Sequence, residues 1–412
     1  MSTTALHLEQ TRARLGSIVG AERTRLHGEA IVAAPASTPE IAAILRYADQ
    51  EKLIVTPTGS GTKLGWGNPV AANVLLSLER LTAVREHSWQ DMTCTVEAGC
   101  AWSTLESTLA QHGQMVALDP LWPERATVGG IAATNDSGAL RLKYGSLRDL
   151  ILGMTVVLAD GTTAKTGGKV VKNVAGYDLH KLMTGSFGTL GVITEINFRL
   201  HPIEQHACTW TIAGDTESLH ALMMRILNST LQVSGLQLRG LHREGADRLD
   251  VRFAASPECL ESQRNTLHAM AGGLEVARAE ESVWQTREKL FAEAIARDGL
   301  IFKAAMLPSQ IAAVHRQLAK WGAESFCVTQ AHGIMTAAVL DQCLNSELLI
   351  AGLRERLREG GGSVMILRSP ETLRPKPDVW GCDSNALPLM REIKRQFDPN
   401  CILNPGKFAG EI

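Results

Sequence analysis

A glycine-rich loop follows a short apolar run in the first part of the chain. The stretch from Thr56 to Gly67 reads TPTGSGTKLGWG, with four glycines in twelve residues. Successive backbone N–H groups in such a loop form a concave site for anions, without the help of a basic side chain. The loop is therefore expected either to hold phosphate groups or to be a plain surface connection.

Two common phosphate-binding patterns do not fit this loop. The nucleotide-kinase pattern GxxxxGK[ST] fails because Lys63 follows Gly61 with the wrong spacing. The dinucleotide fingerprint GxGxxG fails because Gly59 and Gly61 fit but Gly65 comes one position late. Too few residues separate the loop from the next apolar run for a crossover helix. The sequence predicts a strand, a glycine loop and a second strand.

Two further glycine-rich stretches follow, and each of them ends in a predicted strand. The stretch that begins ATVGGIAATNDSG runs into LGMTVVLADG, and GYDLHKLMTGSFGTLG runs into VITEINFRL. Glycine pairs such as Gly129-Gly130 allow a close backbone approach to a flat ring. The short polar residues Thr134, Asn135 and Ser137 can donate hydrogen bonds or form a turn. Three such loops in one region predict a long ligand, for which a dinucleotide is the natural candidate.

These three stretches, in this order, resemble the FAD-binding domain of the vanillyl-alcohol oxidase/PCMH superfamily from Ala30 to Pro202. The segment FDPNCILNPGKF resembles the final motif of the lactate/glycolate branch of that superfamily. Within this branch, GGKVVKNVAGYDLHKLMTGSFGTLGV most resembles the FAD-binding E-type subunits of bacterial glycolate oxidase. Phe187 favours that subgroup over the catalytic D-type subunits, because many relatives carry an acidic residue at this position.

The resemblance implies FAD as the cofactor. FAD is expected to be bound non-covalently, because the first glycine loop lacks the histidine that covalent relatives use for attachment. The backbone that would wrap the FAD pyrophosphate belongs to Pro57, Thr58, Gly59, Ser60, Gly61, Thr62 and Lys63. The residues that would line the flavin and its phosphates are Thr127, Gly129, Gly130, Thr134, Asn135 and Ser137, with Tyr144 and Gly145 close by. The residues that would border the adenosine end are Gly188, Thr189, Val192 and Ile193.

The pattern of elements changes from His206 onward. Two successive passes of β-α-β-β-α-β order predict two ferredoxin-like units, with an antiparallel sheet and helices on one face. The expected fold class is α+β, with a two-subdomain PCMH-type FAD-binding domain and a ferredoxin-like cap that shapes the substrate site. The predicted division is an N-terminal helical segment (1–29), the FAD-binding domain (30–203), the cap (204–375) and a C-terminal segment that returns to the FAD-binding domain (376–412).

Oxidation of a small 2-hydroxy acid by a flavin requires a cation for the carboxylate and a base or metal for the hydroxyl. The candidate cations are Arg141, Lys143, Arg148, Lys169, Lys172, Lys303, Arg368 and Lys407. Lys303 is preferred as a catalytic residue because it interrupts an apolar strand, although it could be a strand-edge charge. Asn404 either reaches the flavin or shapes the turn before Pro405.

Metal-dependent relatives carry a HxxGDGNxH-like stretch, and this chain has AHGIMTAAV with His332 alone. His332 is therefore read as a packed or turn residue, and no metal is expected. Eight scattered cysteines without a CxxC motif also argue against an internal iron–sulfur cluster. A formal net charge of −2 gives no electrostatic reason to expect binding to nucleic acid.

The absence of the metal motif leaves two function classes open. In the first, the chain is the FAD-binding redox subunit of a glycolate oxidase complex, with a catalytic D-type flavoprotein and an iron–sulfur subunit as partners. In the second, it is a self-sufficient dehydrogenase or oxidase of a small 2-hydroxy acid such as D-lactate. The N-terminus lacks the apolar core of a signal peptide, so the expected location is the cytoplasm, with attachment to the inner membrane only through partner subunits.

Overall fold

The structure is a computed structural model, and it describes residues 3–169, 176–241, 246–321, 324–340, 346–370, 378–382 and 385–412. The chain divides into two units. The first unit contains residues 1–137, 146–203 and 383–412, and the second contains residues 138–145 and 204–382. Lys172, one of the candidate cations, and the predicted boundary at residue 375 lie outside the described residues.

Both units contain helices and strands. The described α-helices are α1 (Thr3–Val19), α2 (Thr38–Glu51), α3 (Trp102–Ala110), α4 (Val128–Thr134), α5 (Arg141–Tyr144), α6 (Leu147–Leu150), α7 (Leu179–Met183), α8 (Thr216–Leu227), α9 (Pro257–Ala271), α10 (Thr286–Ala296), α11 (Ile311–Trp321), α12 (Ser346–Arg358) and α13 (Leu387–Phe397). The strands of the first unit are β1 (Thr24–His27), β2 (Ala30–Ala33), β3 (Val55–Thr58), β4 (Val74–Ser77), β5 (Val84–Ser88), β6 (Thr93–Glu97), β7 (Gln114–Met115), β8 (Ile151–Val157), β9 (Thr163–Gly167), β10 (Val192–Arg199) and β11 (His201–Pro202). Those of the second unit are β12 (Ala207–Gly214), β13 (Val233–Leu241), β14 (Asp247–Ala254), β15 (Val276–Ala279), β16 (Leu300–Ala305), β17 (Ser325–Gln330), β18 (Ile334–Val339) and β19 (Ser363–Arg368).

The first unit contains two larger sheets. A four-stranded sheet has the order β1-β2-β4-β3, in which β2, β4 and β3 run parallel. A five-stranded antiparallel sheet has the order β5-β6-β10-β8-β9. Helix α2 starts as predicted, because the Ser37 hydroxyl accepts the backbone N–H of Glu40 at 3.3 Å. Its apolar face is buried in the core of this unit, as the spacing of Ile41, Ile44 and Leu45 indicates.

The second unit contains one eight-stranded antiparallel sheet. Its order, β15-β12-β14-β13-β17-β18-β16-β19, places two four-stranded groups side by side. Each group has the strand order 4-1-3-2 or its mirror sequence, which is the ferredoxin-like arrangement. The groups meet where β13 pairs with β17. The predicted fold class, with tandem ferredoxin-like units and an antiparallel sheet, is confirmed.

The two faces of this sheet differ in chemistry. On one face, Leu238, Phe302 and Met335 join the apolar core formed with α8, α9, α11 and α12. Neighbouring positions in the strands face the other way, since side chains alternate along a strand. That second face carries polar residues, among them Lys303 and Thr336, which are paired in register. We name it the polar face.

Helix α10 was not predicted. It packs against β16, β17 and β18, and its buried residues Leu290 and Phe291 are not part of the apolar core on the opposite face. The two units also divide the chain differently from the predicted division, for instance at residues 378–382, which belong to the second unit. Residues 1–29 belong to the first unit, because Leu15 and Val19 are buried in its core. Residues 138–145 belong to the second unit, because α5 packs against β13.

A buried ion pair fixes the segment that follows α13 in the first unit. The Lys394 ammonium lies 2.6 Å from the Asp398 carboxylate, and it also donates to the carbonyl oxygens of Thr189 and Leu403 at 2.8 and 2.7 Å. The Asp398 carboxylate accepts the backbone N–H groups of Ile402 and Leu403. All the polar atoms of this pair therefore have partners, which is what makes a buried charge tolerable.

None of the described helices combines the length and the apolar character needed to cross a bilayer.

We predict that Lys394→Met lowers the free energy of unfolding by about 3 kcal/mol, because it leaves the Asp398 charge buried without its counter-ion. Arg395→Met is the matched control on the next residue of α13. Arg395 pairs with Glu392 on the surface, where such pairs contribute about 0–1 kcal/mol. Urea unfolding of both variants checks the prediction, and equal losses in the two would contradict it.

Candidate functional site

The glycine loop runs from β3 to β4 without a helix. The two strands are parallel and paired in register, from Val55 with Val74 to Thr58 with Ser77. Gly61 has a φ of +77° and open space where a side chain would be, so its backbone faces a cavity. The described residues that line this cavity are Pro57, Thr58, Gly59, Ser60, Gly61, Thr62, Lys63, Leu64, Thr127, Gly130, Ala133, Thr134, Phe187, Asn404 and Lys407. All seven residues expected from the first loop are among them.

Lys63 is held beneath the loop by a carboxylate. Its ammonium lies 3.3 Å from Asp136 Oδ2, and both side chains are buried. The ammonium also donates to the carbonyl oxygen of Leu121 at 3.3 Å, and the Leu121 N–H donates to Asp136 at 2.7 Å. The rings of Trp66 and Trp122 lie 5.8 and 5.5 Å from the ammonium. Because Asp136 balances the Lys63 charge, the loop presents backbone N–H groups to the cavity as its main anion-binding feature.

The second glycine motif forms α4 and its two ends. Thr127 caps α4 by accepting the Gly130 N–H, and the Thr134 hydroxyl donates to the Gly130 carbonyl oxygen at 2.8 Å. Gly130 and Thr134 line the cavity. Gly129 does not, and its lack of a side chain has another cause: a Cβ there would lie 2.7 Å from that of Ala98. Close packing in the core therefore requires Gly129, whereas the expected role was an approach to a flat ring.

Asn135 ends α4 with a φ of +48°, and its side-chain oxygen is buried without a hydrogen-bond donor among the described residues. An unsatisfied buried acceptor costs about 1–3 kcal/mol. A ligand with an N–H or O–H group would relieve this cost. Ser137, two positions further on, is also buried. Neither Asn135 nor Ser137 lines the cavity at Gly61, although Thr134, the neighbour of Asn135, does. The open backbone at Gly61 and the nearby Asn135 acceptor fit a cofactor with phosphates and a polar ring.

The C-terminal motif completes the same cavity. The side-chain amide of Asn404 accepts the Thr56 hydroxyl at 2.7 Å and donates to the Phe187 carbonyl oxygen at 2.8 Å. Its backbone N–H donates to the carbonyl oxygen of Val55, beside the β-bridge between Val55 and Leu403. Asn404 thus lines the cavity, as one of its two expected roles requires, but both ends of its amide are engaged in fixing the loops.

The remaining predicted residues lie away from the cavity lining. Gly188, with a φ of +69°, leaves room for Asn404 Nδ2, which would lie 3.2 Å from a Cβ at this position. Thr189 is buried, and Val192 and Ile193 are buried in β10. Tyr144 and Gly145 belong to the second unit. There the Tyr144 hydroxyl donates to Glu204 at 3.0 Å, and burial together with this carboxylate raises the pKa of Tyr144 to about 12.

The sequence did not single out Lys407. It was one of eight candidate cations for a substrate, and the structure places it in the lining of the glycine-loop cavity. Its ammonium donates to the carbonyl oxygens of Leu64 at 2.9 Å and Asn68 at 3.3 Å. Burial lowers the pKa of Lys407 to about 8. Lys407 belongs to the NPGK motif, which the sequence analysis noted. Only the folded structure shows that this motif contacts the glycine loop.

A second group of charged residues lies in the second unit, around His332. Both ring nitrogens of His332 are buried without a hydrogen-bond partner among the described residues. Burial, followed by the charges of Arg141, Lys303 and Arg287, lowers the pKa of His332 to about 4. Among the described residues, no three His, Cys, Asp or Glu side chains are grouped so as to hold a metal ion. We name His332, Arg141, Lys303 and Arg287 together the cationic cluster.

Four further candidate cations have partners outside the cationic cluster. The three that pair with carboxylates are Lys143 with Glu204, Lys169 with Glu86 and Arg368 with Asp298. Arg148 donates to the carbonyl oxygen of Thr184 at 3.4 Å. Arg287 was missed in the sequence because α10 was missed.

Comparison with known families identifies the cofactor. Residues 30–167 match the model of an FAD binding domain, and residues 382–408 match that of the FAD linked oxidases, C-terminal domain. These matches cover the glycine loop, α4 and the NPGK motif. The expectation of FAD is thereby confirmed.

Curated relatives include several FAD-linked oxidoreductases. The chain is 28% identical to the mitochondrial D-lactate dehydrogenase [cytochrome] of Arabidopsis thaliana, over 92% of this chain and 73% of that protein. It is also 28% identical to the glycolate oxidase subunit GlcD of Bacillus subtilis, over 92% of this chain and 88% of that protein. Identity to the D-lactate dehydrogenase of Archaeoglobus fulgidus is 29%, over 93% of this chain and 92% of that protein.

Solved structures support the fold at low sequence identity. A p-cresol methylhydroxylase aligns with a TM-score of 0.74 at 15% identity, covering 97% of this chain and 96% of that one. The 4-ethylphenol oxidase of Gulosibacter chungangensis aligns with a TM-score of 0.72 at 15% identity, covering 98% and 97%. The two-subdomain FAD-binding architecture expected from the sequence is the one that this chain shares with them.

We predict that Gly61→Asp weakens FAD binding by about 100-fold or more. Two like charges about 4 Å apart repel by about 4 kcal/mol at an effective dielectric constant of 20, and the new carboxylate would occupy the open space at the loop. Gly61→Asn is the matched control, because Asn has the same shape, no charge and a tolerance for positive φ. Flavin content and titration of the apoprotein with FAD measure the effect. Equal flavin content in both variants would refute the loop assignment.

We also predict that the affinity for FAD falls as the pH rises above about 8, by up to about tenfold per pH unit. Burial lowers the pKa of Lys407 to about 8, and a bound pyrophosphate favours the charged ammonium. FAD binding therefore takes up a proton above this pH. Lys407→Met should bind FAD more weakly at pH 7 and lose this pH dependence, whereas Lys407→Arg should stay charged and bind at all pH values tested.

Fluorescence titration of the apoprotein with FAD at several pH values checks the role of Lys407. Lys169→Met is the control, since Lys169 is an exposed lysine paired with Glu86. A wild-type affinity that does not change with pH, or a change that persists in Lys407→Met, would exclude Lys407 as the source of the effect.

Proposed function

We propose that this chain, an FAD-linked oxidoreductase with a PCMH-type FAD-binding domain, is the FAD-binding redox subunit of a complex that oxidises glycolate to glyoxylate. Its proposed partners are a catalytic D-type flavoprotein subunit and an iron–sulfur subunit, which receive the electrons. Two matched segments support the cofactor, and the similarity to a glycolate oxidase subunit of Bacillus subtilis supports the substrate class. We also propose that the chain resides in the cytoplasm and reaches the inner membrane only through its partner subunits.

The first unit has the residues that this role requires for FAD. The backbone of the loop around Gly61 and the Lys407 ammonium would hold the pyrophosphate, and the Asn135 oxygen would accept a hydrogen bond from the flavin side of the cofactor. Once bound, FAD supplies a ring that accepts a hydride or single electrons. Asn404 would keep the glycine loop and the Phe187 turn in register, through its two amide hydrogen bonds.

The observation that carries the subunit reading is the electrostatic setting of His332. Burial, and after it the charges of Arg141, Lys303 and Arg287, lower the pKa of His332 to about 4, and a divalent cation at the ring would be repelled by the same three charges. Activation of a substrate hydroxyl by a metal at His332 is therefore disfavoured on electrostatic grounds. A complex that contains a separate catalytic flavoprotein would not need such a metal in this chain.

Phe187 supports the E-type assignment within this proposal. The E-type resemblance implies an apolar residue at this position, and here the Phe187 ring packs against that of Phe408, with 5.9 Å between the ring centroids. The residue lines the cavity and has a φ of +55°. An acidic side chain would place a negative charge in the lining of the same cavity as the FAD phosphates.

A second candidate function is a self-sufficient dehydrogenase of D-lactate. The similarity to two D-lactate dehydrogenases over more than nine-tenths of the chain favours it. Both candidate functions use FAD and a small 2-hydroxy acid. They differ in whether the purified chain turns over without partners.

We predict that the purified, FAD-loaded chain reduces an artificial electron acceptor with glycolate at least about 100-fold more slowly than the complex purified with its partners. The reason is that the described part of this chain groups no three His, Cys, Asp or Glu side chains that could hold a metal ion to activate the substrate hydroxyl. Dye-reduction assays with glycolate and with D-lactate, each with and without added divalent metal, measure this ratio. Rapid turnover of either acid by the chain alone would favour the self-sufficient dehydrogenase.

A further inference from the structure

A cleft lies at one end of the eight-stranded sheet of the second unit, beside the terminal strand β15. Among the described strands, only β12 pairs with β15. The cleft is bounded by Trp210 on β12, Arg278 on β15 and Arg264 on α9, and all of its lining residues belong to the second unit. Its volume of about 480 Å³ is typical of small-molecule sites. We name it the α9 cleft.

The α9 cleft exists because the helix covers the sheet with only part of its inner side. Leu267, in the C-terminal half of α9, is buried in the apolar core. Pro257, Leu260, Glu261 and Arg264, in the N-terminal half, line the cleft instead. Their spacing of three and four residues places them on one side of the helix, the side that carries Leu267. The core side of α9 is therefore left partly open to a ligand.

Trp210 forms the aromatic wall of the cleft. Its ring is partly buried against the apolar core and meets the ring of His268 on α9 edge-on, with 5.7 Å between the centroids. The indole N–H is buried and has no acceptor among the described residues. A buried donor without an acceptor is destabilising, and a ligand oxygen that reaches it relieves this cost. Trp210 thus offers a flat apolar surface and one hydrogen-bond donor.

The charge of the cleft is positive. Arg278 lies opposite Trp210 in the pairing of β15 with β12, so both side chains are on the same face of the sheet. Among the described residues, no carboxylate or other hydrogen-bond acceptor pairs with the Arg278 guanidinium. Arg264 lies 3.5 Å from Glu261 and is thereby balanced. The lining therefore holds one uncompensated permanent charge beside an aromatic ring.

We propose that the α9 cleft binds a small aromatic carboxylate, whose ring lies against Trp210 and whose carboxylate is held by Arg278. The guanidinium fork matches a planar carboxylate with two parallel hydrogen bonds, and one uncompensated charge suits a monoanion. The cleft shares no lining residue with the cofactor cavity at Gly61. The site is thus additional to the FAD site, and it does not depend on the proposed function.

Calorimetric titration of the full-length, FAD-loaded protein with cinnamate tests this site while FAD occupies the cofactor cavity. We expect a Kd of about 1 mM or lower. Cinnamamide has the same ring without the charge, and acetate has the charge without the ring. Each is expected to bind at least about 10-fold more weakly than cinnamate, since each lacks one of the two contacts.

Variants assign the binding to the α9 cleft. Arg278→Met is expected to weaken the binding of cinnamate by about 10-fold, since it removes a charge-assisted contact. Leu260→Trp should abolish the binding, because the larger side chain fills the cleft. Arg316→Met removes an exposed arginine of the same unit, which pairs with Glu217, and should bind cinnamate like the wild type. Flavin content and melting temperature show that each variant is folded.

Three results would overturn the proposal. The first is a wild-type protein that does not bind cinnamate, and the second is an equal affinity for cinnamate and cinnamamide. The third is the same affinity for cinnamate in Arg278→Met and Leu260→Trp as in Arg316→Met, because the acid would then be bound elsewhere on the protein. The turnover assays that test the proposed function do not bear on any of these outcomes.

Discussion

The buried ion pair between Lys63 and Asp136 is the interaction on which the architecture of the cofactor cavity depends. It joins the glycine loop to the segment that follows α4, two parts of the chain that share no strand pairing with each other. Leu121 ties a third segment to the same pair. A loop of several glycines has high conformational entropy, and a fully partnered buried charge beneath it restricts that freedom. The Lys63–Asp136 pair therefore holds the loop in the conformation that leaves the Gly61 backbone open to the cavity.

Charge is distributed differently in the two units. In the first unit, the buried lysines Lys63 and Lys394 each have a carboxylate partner. The polar backbone and Lys407 therefore define what the cavity attracts. In the second unit, the charges of Arg141, Lys303 and Arg287 act on the imidazole of His332. The sheet of that unit separates the two environments, because one face packs on α8, α9, α11 and α12 to form the apolar core, while the polar face is partly covered by α10.

Local patterns were enough to predict the glycine loop, the cap of α2 at Ser37 and the tandem ferredoxin-like order of the second unit. These features depend on residues close in sequence.

Asp136 was passed over between Asn135 and Ser137, because nothing near it in the sequence indicates a buried lysine as its partner. Lys407 was not distinguished from surface lysines for the same reason. Arg287 was not identified because α10 was not predicted, although the apolar spacing of Leu290, Phe291 and Ala294 indicates a helix. The reason for Gly129 depends on its close contact with Ala98, which only tertiary structure reveals.

The distance along the chain between the two halves of the cavity has a consequence for synthesis. Thr56 and Asn404, whose side chains share a hydrogen bond, are 348 positions apart. A ribosome adds about 5–20 residues per second, so the glycine loop exists for tens of seconds before Asn404 and Lys407 are made. During that interval β3 lacks its bridge to Leu403, and the loop lacks its hydrogen bonds to Lys407. All residues of the second unit are therefore synthesised before the binding site for the cofactor has its last lining residues.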